Sequence, residues 1–103
     1  MRDREAFQKS VKAYLKTGKS SLTELSLELN YTREHLSRIL HGQANMTAES
    51  VQHTVKALVT LGCLHRRDQA RRLLQLMDIP DFPAEDWNAN PLSRLDDSST
   101  SHS

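Results

Sequence analysis

The chain has 103 residues, of which 37% are hydrophobic and 26% are charged, and its formal net charge is +1. This length suits one compact domain, and no run approaches the roughly eighteen consecutive apolar residues that a membrane-spanning helix needs. Leucine is abundant, aromatic residues make up only 5%, and apolar and polar residues do not alternate, so an all-α fold is predicted rather than a β-sandwich or barrel.

Three short helices are predicted in the first part of the chain. The first covers about residues 3–17, has Gly18 as its C-terminal cap, and places on one face Phe7, Val11, Tyr14 and Leu15. The second covers about 22–29 behind the S-x-x-E capping box that starts at Ser21, with an apolar stripe of Leu22, Leu25 and Leu29. The third covers about 33–41 and is expected to bury Leu36, Ile39 and Leu40.

Two further helices complete the predicted body, which covers residues 1–79. The fourth, about 47–61, begins at the capping residue Thr47 and presents to the core Val51, Val55, Leu58 and Val59. The fifth, about 66–78, presents Ala70, Leu73, Leu74 and Met77. The sequence therefore predicts a compact bundle of about five helices.

The C-terminal part has a different composition. Residues 80–87 contain two prolines that interrupt a helix, and Phe82 and Trp87 are expected to fold back onto the body. Residues 88–103 are polar, which predicts a disordered tail or a linker.

Charge is distributed unevenly along the chain. Residues 1–79 carry thirteen lysines and arginines against eight acids, whereas residues 80–103 carry one arginine against five acids. A basic body suits a polyanionic partner, although many cytosolic domains with a mixed, solvated surface have similar counts. The single cysteine, Cys63, excludes an intrachain disulfide, and with an N-terminus that lacks an apolar signal core it predicts a cytoplasmic location.

The junction between the second and third helices takes only three residues, Asn30 to Thr32. Asn30 tolerates the left-handed backbone that ends a helix, and Thr32 is a favourable N-cap for the next one. Two helices that stop and restart so closely, and share one small core, indicate a helix-turn-helix.

The stretch LTELSLELNYTREHLSRILHG, followed by a polar loop and the helix TAESVQHTVKAL, resembles the Cro and lambda-repressor type of helix-turn-helix domain, the xenobiotic-response-element class. The resemblance covers about residues 5–61 and implies that the third helix is a recognition helix in the major groove of double-stranded DNA. By position it implies DNA contacts from Thr32, Arg33, Glu34, Ser37 and Arg38, with His35 at the margin. The chain departs from the family at Ser26, where alanine is usual, at Asn30, where glycine is usual, and at Leu22, where a polar residue usually contacts phosphate.

The chemistry of these residues suits DNA. The N-terminus of the third helix offers free amides and a positive dipole end to a phosphate, next to the Thr32 hydroxyl. Arg33 and Arg38 suit either a guanine edge or phosphates, and Glu34 suits either a cytosine amino group or its own helix dipole. Lys19 and His41 are expected at the rim, where they would contact phosphates independently of sequence.

Other chemistry is weakly represented, so neither an enzyme nor a cofactor is predicted. His35 and His41 are six residues apart, which does not place two ligands on one helical face, and Cys63 with His65 lacks the further ligands that zinc needs. The basic cluster formed by Arg66, Arg67, Arg71 and Arg72 has three interpretations: a solvated face, a second phosphate contact, or a site for the acidic tail.

The leading hypothesis is a sequence-specific transcriptional regulator, a repressor of phage or plasmid type that occupies an operator as a homodimer. A candidate dimer surface is formed by Cys63, Leu64, Leu73, Leu76, Phe82 and Trp87, which equally suit the monomer core. The alternative is a module of the same helix-turn-helix fold that serves protein–protein interaction instead of DNA binding, with the C-terminal segment as a further site for a protein partner. RRLLQLMDIPDFPAEDW resembles the segment after the N-terminal helix-turn-helix of some multidomain signalling ATPases, and an antitoxin would combine the two functions.

Overall fold

The computed structural model describes residues 3–42, 47–90 and 92–95. These residues contain no strand and form α1 (Arg4–Thr17), α2 (Leu22–Leu29), α3 (Arg33–Leu40), α4 (Ala48–Thr60), α5 (Arg67–Leu76), α6 (Ala84–Trp87) and a final 3-10 turn (Leu92–Arg94). The all-α class and the five main helices are confirmed, and each of the five ends within two residues of its predicted bounds. None of the helices in these residues has the length and apolar character of a membrane span.

The helices enclose one hydrophobic core. α2 packs against α3 and α4, α1 packs against α3 and α5, and α4 also contacts α5 and the 3-10 turn. The largest side chains that are fully buried come from every main helix: Phe7, Leu25, Leu36, Leu40, Leu58, Leu73, Leu74 and Met77. α3 is therefore supported by both α1 and α2, which holds its remaining face outward.

The junction between α2 and α3 is built as predicted. Asn30 caps α2 with a left-handed backbone (φ 62°, ψ 36°), and its amide donates to the carbonyls of Leu27 and Ser26. Thr32 caps α3, and its hydroxyl accepts from the amide of His35 at 3.1 Å. Asn30 caps through its left-handed backbone and Thr32 through its hydroxyl, and both caps are local, so the chain changes direction here without glycine or proline.

Gly18 is a C-cap for a different reason from the predicted one. Its φ of −82° is accessible to any residue, and the left-handed backbone falls instead on Lys19 (φ 58°). Glycine is needed because a Cβ at this position would lie 2.7 Å from Cys63 Sγ and 3.0 Å from Cys63 Cα. The contact joins residues far apart in sequence, so helix capping rules did not reveal it.

The C-terminal segment is more ordered than its composition indicates. Phe82 and Trp87 fold back and are buried, each with 4% of its surface exposed. The disordered tail predicted from residue 88 needs correction in its first part, because Leu92 and Leu95 follow at helical spacing and are also buried. The rest of the predicted tail, residues 96–103, lies outside the described residues.

The candidate dimer surface is part of the monomer core. Five of its six residues are buried within the single chain: Cys63, Leu64, Leu73, Phe82 and Trp87. Leu76 is half-buried and packs against the same core. A second chain therefore has almost none of this surface to contact, and the alternative assignment of these residues to the monomer core is the correct one.

Candidate nucleic-acid interface

α3 divides into a buried face and an exposed face. Leu36, Ile39 and Leu40 are each at most 4% exposed and fix the helix to the core. The opposite side, here called the α3 face, consists of Thr32, Arg33, Glu34, His35, Ser37 and Arg38; Ser37 is half-buried and the other five are exposed. The structure therefore brings together six of the eight predicted site residues on one rigid support.

The N-terminal end of α3 presents backbone donors beside a hydroxyl. The amide of His35 is occupied by Thr32 Oγ1, and the amide of Leu36 donates to the Thr32 carbonyl. The amides of Arg33 and Glu34 belong to the first turn, where a helix provides no carbonyl to accept from them. They lie at the positive end of the helix dipole. This arrangement suits an anion such as a phosphate oxygen, with the Arg33 side chain next to it.

An ion pair crosses the α3 face. Arg38 Nη2 lies 3.1 Å from Glu34 Oε1, one helical turn away, and the two side chains are 58% and 78% exposed. Glu34 also stands in the first turn of α3, where its charge interacts favourably with the helix dipole. Glu34 is thus both a dipole partner and the partner of an arginine on the same face.

Two histidines on or beside α3 are engaged with their neighbours. The ring of His35 makes an edge-to-face contact with Tyr31, with 5.0 Å between ring centroids and 87° between planes. His41 caps the C-terminus of α3, and its Nδ1 lies 2.8 Å from the Ser37 carbonyl oxygen and 3.3 Å from Ser37 Oγ. A hydrogen bond to the carbonyl requires the proton on Nδ1, so His41 acts on the end of its own helix.

Two concave surfaces flank the ion pair. One is lined by Leu22 of α2 together with Arg33, Glu34, Ser37 and Arg38. The other is lined by Asn30, Tyr31, Thr32, Glu34, His35 and Arg38. Tyr31 is half-buried: it packs against the hydrophobic core and also borders the exposed surface. Its spacing of four residues from His35 was the available signal for this position.

Lys19 does not lie on α3. It is exposed in the turn between α1 and α2, three residues before Leu22, whose side chain lines the first concave surface. Lys19 is therefore placed beside the N-terminus of α2 rather than among the α3 residues.

The basic cluster on α5 is largely engaged within the chain. The guanidinium groups of Arg67 and Arg71 lie 5.4 Å and 5.2 Å from the centre of the Trp87 ring. Arg71 Nε also donates to Asp81 Oδ2 at 3.1 Å, and Arg66 pairs with Asp68 at 3.2 Å. The contacts of Arg67 and Arg71 hold the C-terminal segment against α5, which is nearest to the third interpretation, although Trp87 and Asp81 make the contacts rather than the acids of the tail.

Residues 3–42, 47–90 and 92–95 contain no group of three or more histidine, cysteine, aspartate or glutamate side chains placed to hold a metal ion. The α3 face presents hydrogen-bond donors, the hydroxyls of Thr32 and Ser37, and side chains of both charges.

Comparison with known proteins finds no family model, no curated protein and no solved structure that matches this chain.

Proposed function

We propose that this chain is a sequence-specific DNA-binding regulator that places the α3 face in the major groove. The observation that carries the proposal is the division of α3: one side is fixed by Leu36, Ile39 and Leu40, and the other side presents Arg33 and Arg38 to solvent. A helix about 10 Å across fits a major groove about 12 Å wide, so a helix held in this way can bring side chains to base edges.

Each part of the α3 face has a role in this proposal. Thr32 and the first amides of α3 position the helix on the phosphate backbone, which supplies affinity without sequence information. Arg33 and Arg38 each present a planar set of donors that matches the O6 and N7 acceptors of guanine. His35, Ser37, Lys19 and His41 are assigned to the margin of the interface.

In this proposal, transcription is repressed when the protein occupies its operator. A protein bound to an operator blocks polymerase physically, so repression requires no catalytic group and no cofactor. Single-domain regulators with this kind of recognition helix commonly bind two half-sites about 34 Å apart as dimers. Since the predicted dimer surface is buried, a homodimer of this chain would form through another face.

The test is selection of bound sites from a random duplex library, followed by affinity measurements between about 50 and 200 mM salt. The proposal predicts enrichment of a short motif and its loss in the variant carrying Arg33→Ala and Arg38→Ala. Weak binding that enriches no motif would contradict sequence-specific regulation.

A second candidate function is protein binding through the same helices. It is favoured by α2, where Leu27 is 73% exposed and Leu22 lines the concave surface beside Arg33. In this alternative the chain would be the interaction module of a larger signalling ATPase, or an antitoxin that binds its toxin. Leu27→Ser separates the two functions, because it would weaken a protein complex and leave DNA affinity unchanged.

A further inference from the structure

We propose that Glu34 is a positioning residue that reserves Arg38 for a base edge and keeps it from phosphates. The inference rests on the proposed DNA-binding function and deepens it by assigning a different DNA contact to each of the two arginines. Arg38 would read a base, and Arg33 would contact the backbone.

The geometry of the pair motivates this division. Glu34 Oε1 occupies one donor of the Arg38 guanidinium at 3.1 Å, and a guanidinium has five N–H donors in one plane. Enough donors remain for two hydrogen bonds to a guanine edge. The carboxylate restrains the plane of the guanidinium, so less side-chain freedom is lost when Arg38 meets a base.

The charge of the pair determines which kind of hydrogen-bond acceptor Arg38 contacts. With Glu34 beside it, the Arg38 guanidinium is locally neutralised, and the carboxylate repels an approaching phosphate. The acceptors of a base edge are uncharged, so they are repelled far less. No carboxylate among the described residues pairs with Arg33, which therefore keeps its full charge for a phosphate.

Stability does not account for the pair. Ion pairs between residues four apart on an exposed helix contribute little to folding. α1 contains a close match: Glu5 pairs with Lys9 at 3.3 Å, the two side chains are 77% and 75% exposed, and Glu5 also stands in the first turn of its helix. The two glutamates differ in that only Glu34 lies on the α3 face, which makes Glu5 a matched control.

The experiment compares Glu34→Gln with Glu5→Gln on a selected operator and on random-sequence duplex. Both variants lose one negative charge, one exposed ion pair and one first-turn carboxylate, so the net charge of the chain and the contributions of these contacts to stability change equally in both. We expect Glu34→Gln to free Arg38 for one additional phosphate, which steepens the slope of log affinity against log salt on random duplex by about 0.9. The ratio of operator affinity to random-duplex affinity should fall about tenfold, whereas Glu5→Gln should change neither quantity beyond its general charge effect.

Two other outcomes would overturn the inference, and they are distinguishable. If the unmodified protein selects an operator but the two variants have the same slope and the same affinity ratio, Glu34 does not position Arg38 and the DNA-binding function stands. If the unmodified protein selects no operator, the DNA-binding function and the role of Glu34 are both wrong. Equal melting temperatures of the two variants verify that folding does not account for the result.

Discussion

α3 and α5 both carry arginines on polar surfaces, and the two helices use them differently. On α3, Arg33 and Arg38 are exposed, and no segment within residues 3–42, 47–90 and 92–95 covers them. On α5, Arg67 and Arg71 are half-buried against Trp87, which folds back from the C-terminal segment. A run of basic residues on a helix therefore indicates a polyanion site only where the rest of the chain leaves that helix uncovered.

The aromatic pair explains why the α5 arginines are engaged. Phe82 and Trp87 pack edge to face with 5.3 Å between their centroids, and Lys56 lies 5.5 Å from the Phe82 ring. Lys56 also pairs with Asp86 at 3.8 Å. Lys56 of α4 thus contacts the Phe82 ring, and the arginines of α5 contact the Trp87 ring. These contacts make the segment part of the folded body.

The comparison predicts that removing the α3 arginines affects binding alone. Arg33→Ala with Arg38→Ala should weaken operator binding by about 1–3 kcal/mol for an arginine that reads a base, and by less for one on phosphate. The free energy of unfolding should change by less than about 0.5 kcal/mol, because both side chains are exposed. Fluorescence anisotropy with labelled operator and urea denaturation measure the two quantities.

The matched control for that experiment removes two arginines of the basic cluster, one at the N-cap of α5 and one within the helix. Arg66→Ala with Arg72→Ala lowers the charge of the chain equally, and both positions are exposed. Operator affinity that falls equally in both double variants would mean that only total charge matters, which contradicts recognition by α3.

Trp87 provides the largest expected effect on stability. Trp87→Ala removes a buried ring together with its contacts to Phe82, Arg67 and Arg71, and should lower the free energy of unfolding by about 3–5 kcal/mol. Trp87→Phe retains an aromatic ring and should cost less. Urea denaturation followed by circular dichroism tests both, and equal stability of Trp87→Ala and the unmodified chain would show that the segment is not packed.

Removing the arginines that hold Trp87 should have a smaller effect. Arg67→Ala with Arg71→Ala loses two contacts to the ring and the ion pair with Asp81, for a total of about 1–3 kcal/mol of stability. Trp87 fluorescence should shift to longer wavelength as water reaches the ring. A spectrum identical to that of the unmodified chain would contradict the proposed role of the two arginines.

The smallest effect is the pH dependence of stability that arises from Tyr14, which lies near Arg72 of α5. Burial raises the pKa of Tyr14 above its ordinary value of 10.0; the Arg72 charge opposes the rise and the Asp68 charge adds to it. Since the folded chain retains the phenol proton more strongly, this contribution to stability is present below pH 10 and is lost as pH rises through the folded pKa. Denaturation between about pH 9 and 11 should show a steeper decline for the unmodified chain than for Tyr14→Phe.

Much of the fold was predictable because it depends on neighbours in sequence. Asn30 and Thr32 were assigned correctly as the two caps, since a cap depends on the backbone or side chain of one residue and on groups within four residues of it. The buried residues of α4 and α5 were also correct, because apolar periodicity of a helix identifies its inner face. The exposed face of α3 follows from the same periodicity.

The features that the sequence did not reveal depend on contacts between distant parts of the chain. Glycine at position 18 is required by the close approach of Cys63, and Leu92 and Leu95 extend the core beyond the predicted start of the tail. None of these contacts has a repeating local pattern, so composition and periodicity do not indicate them.

By itself the sequence determined where the helices begin and end and which side of each faces inward, because capping and periodicity act within one or two helical turns. Only the tertiary structure decided which arginines remain available to a partner. That outcome depends on where Trp87 returns to the body, a contact between residues sixteen and twenty positions apart in sequence. The same packing buries the candidate dimer residues in the monomer and leaves the α3 face uncovered.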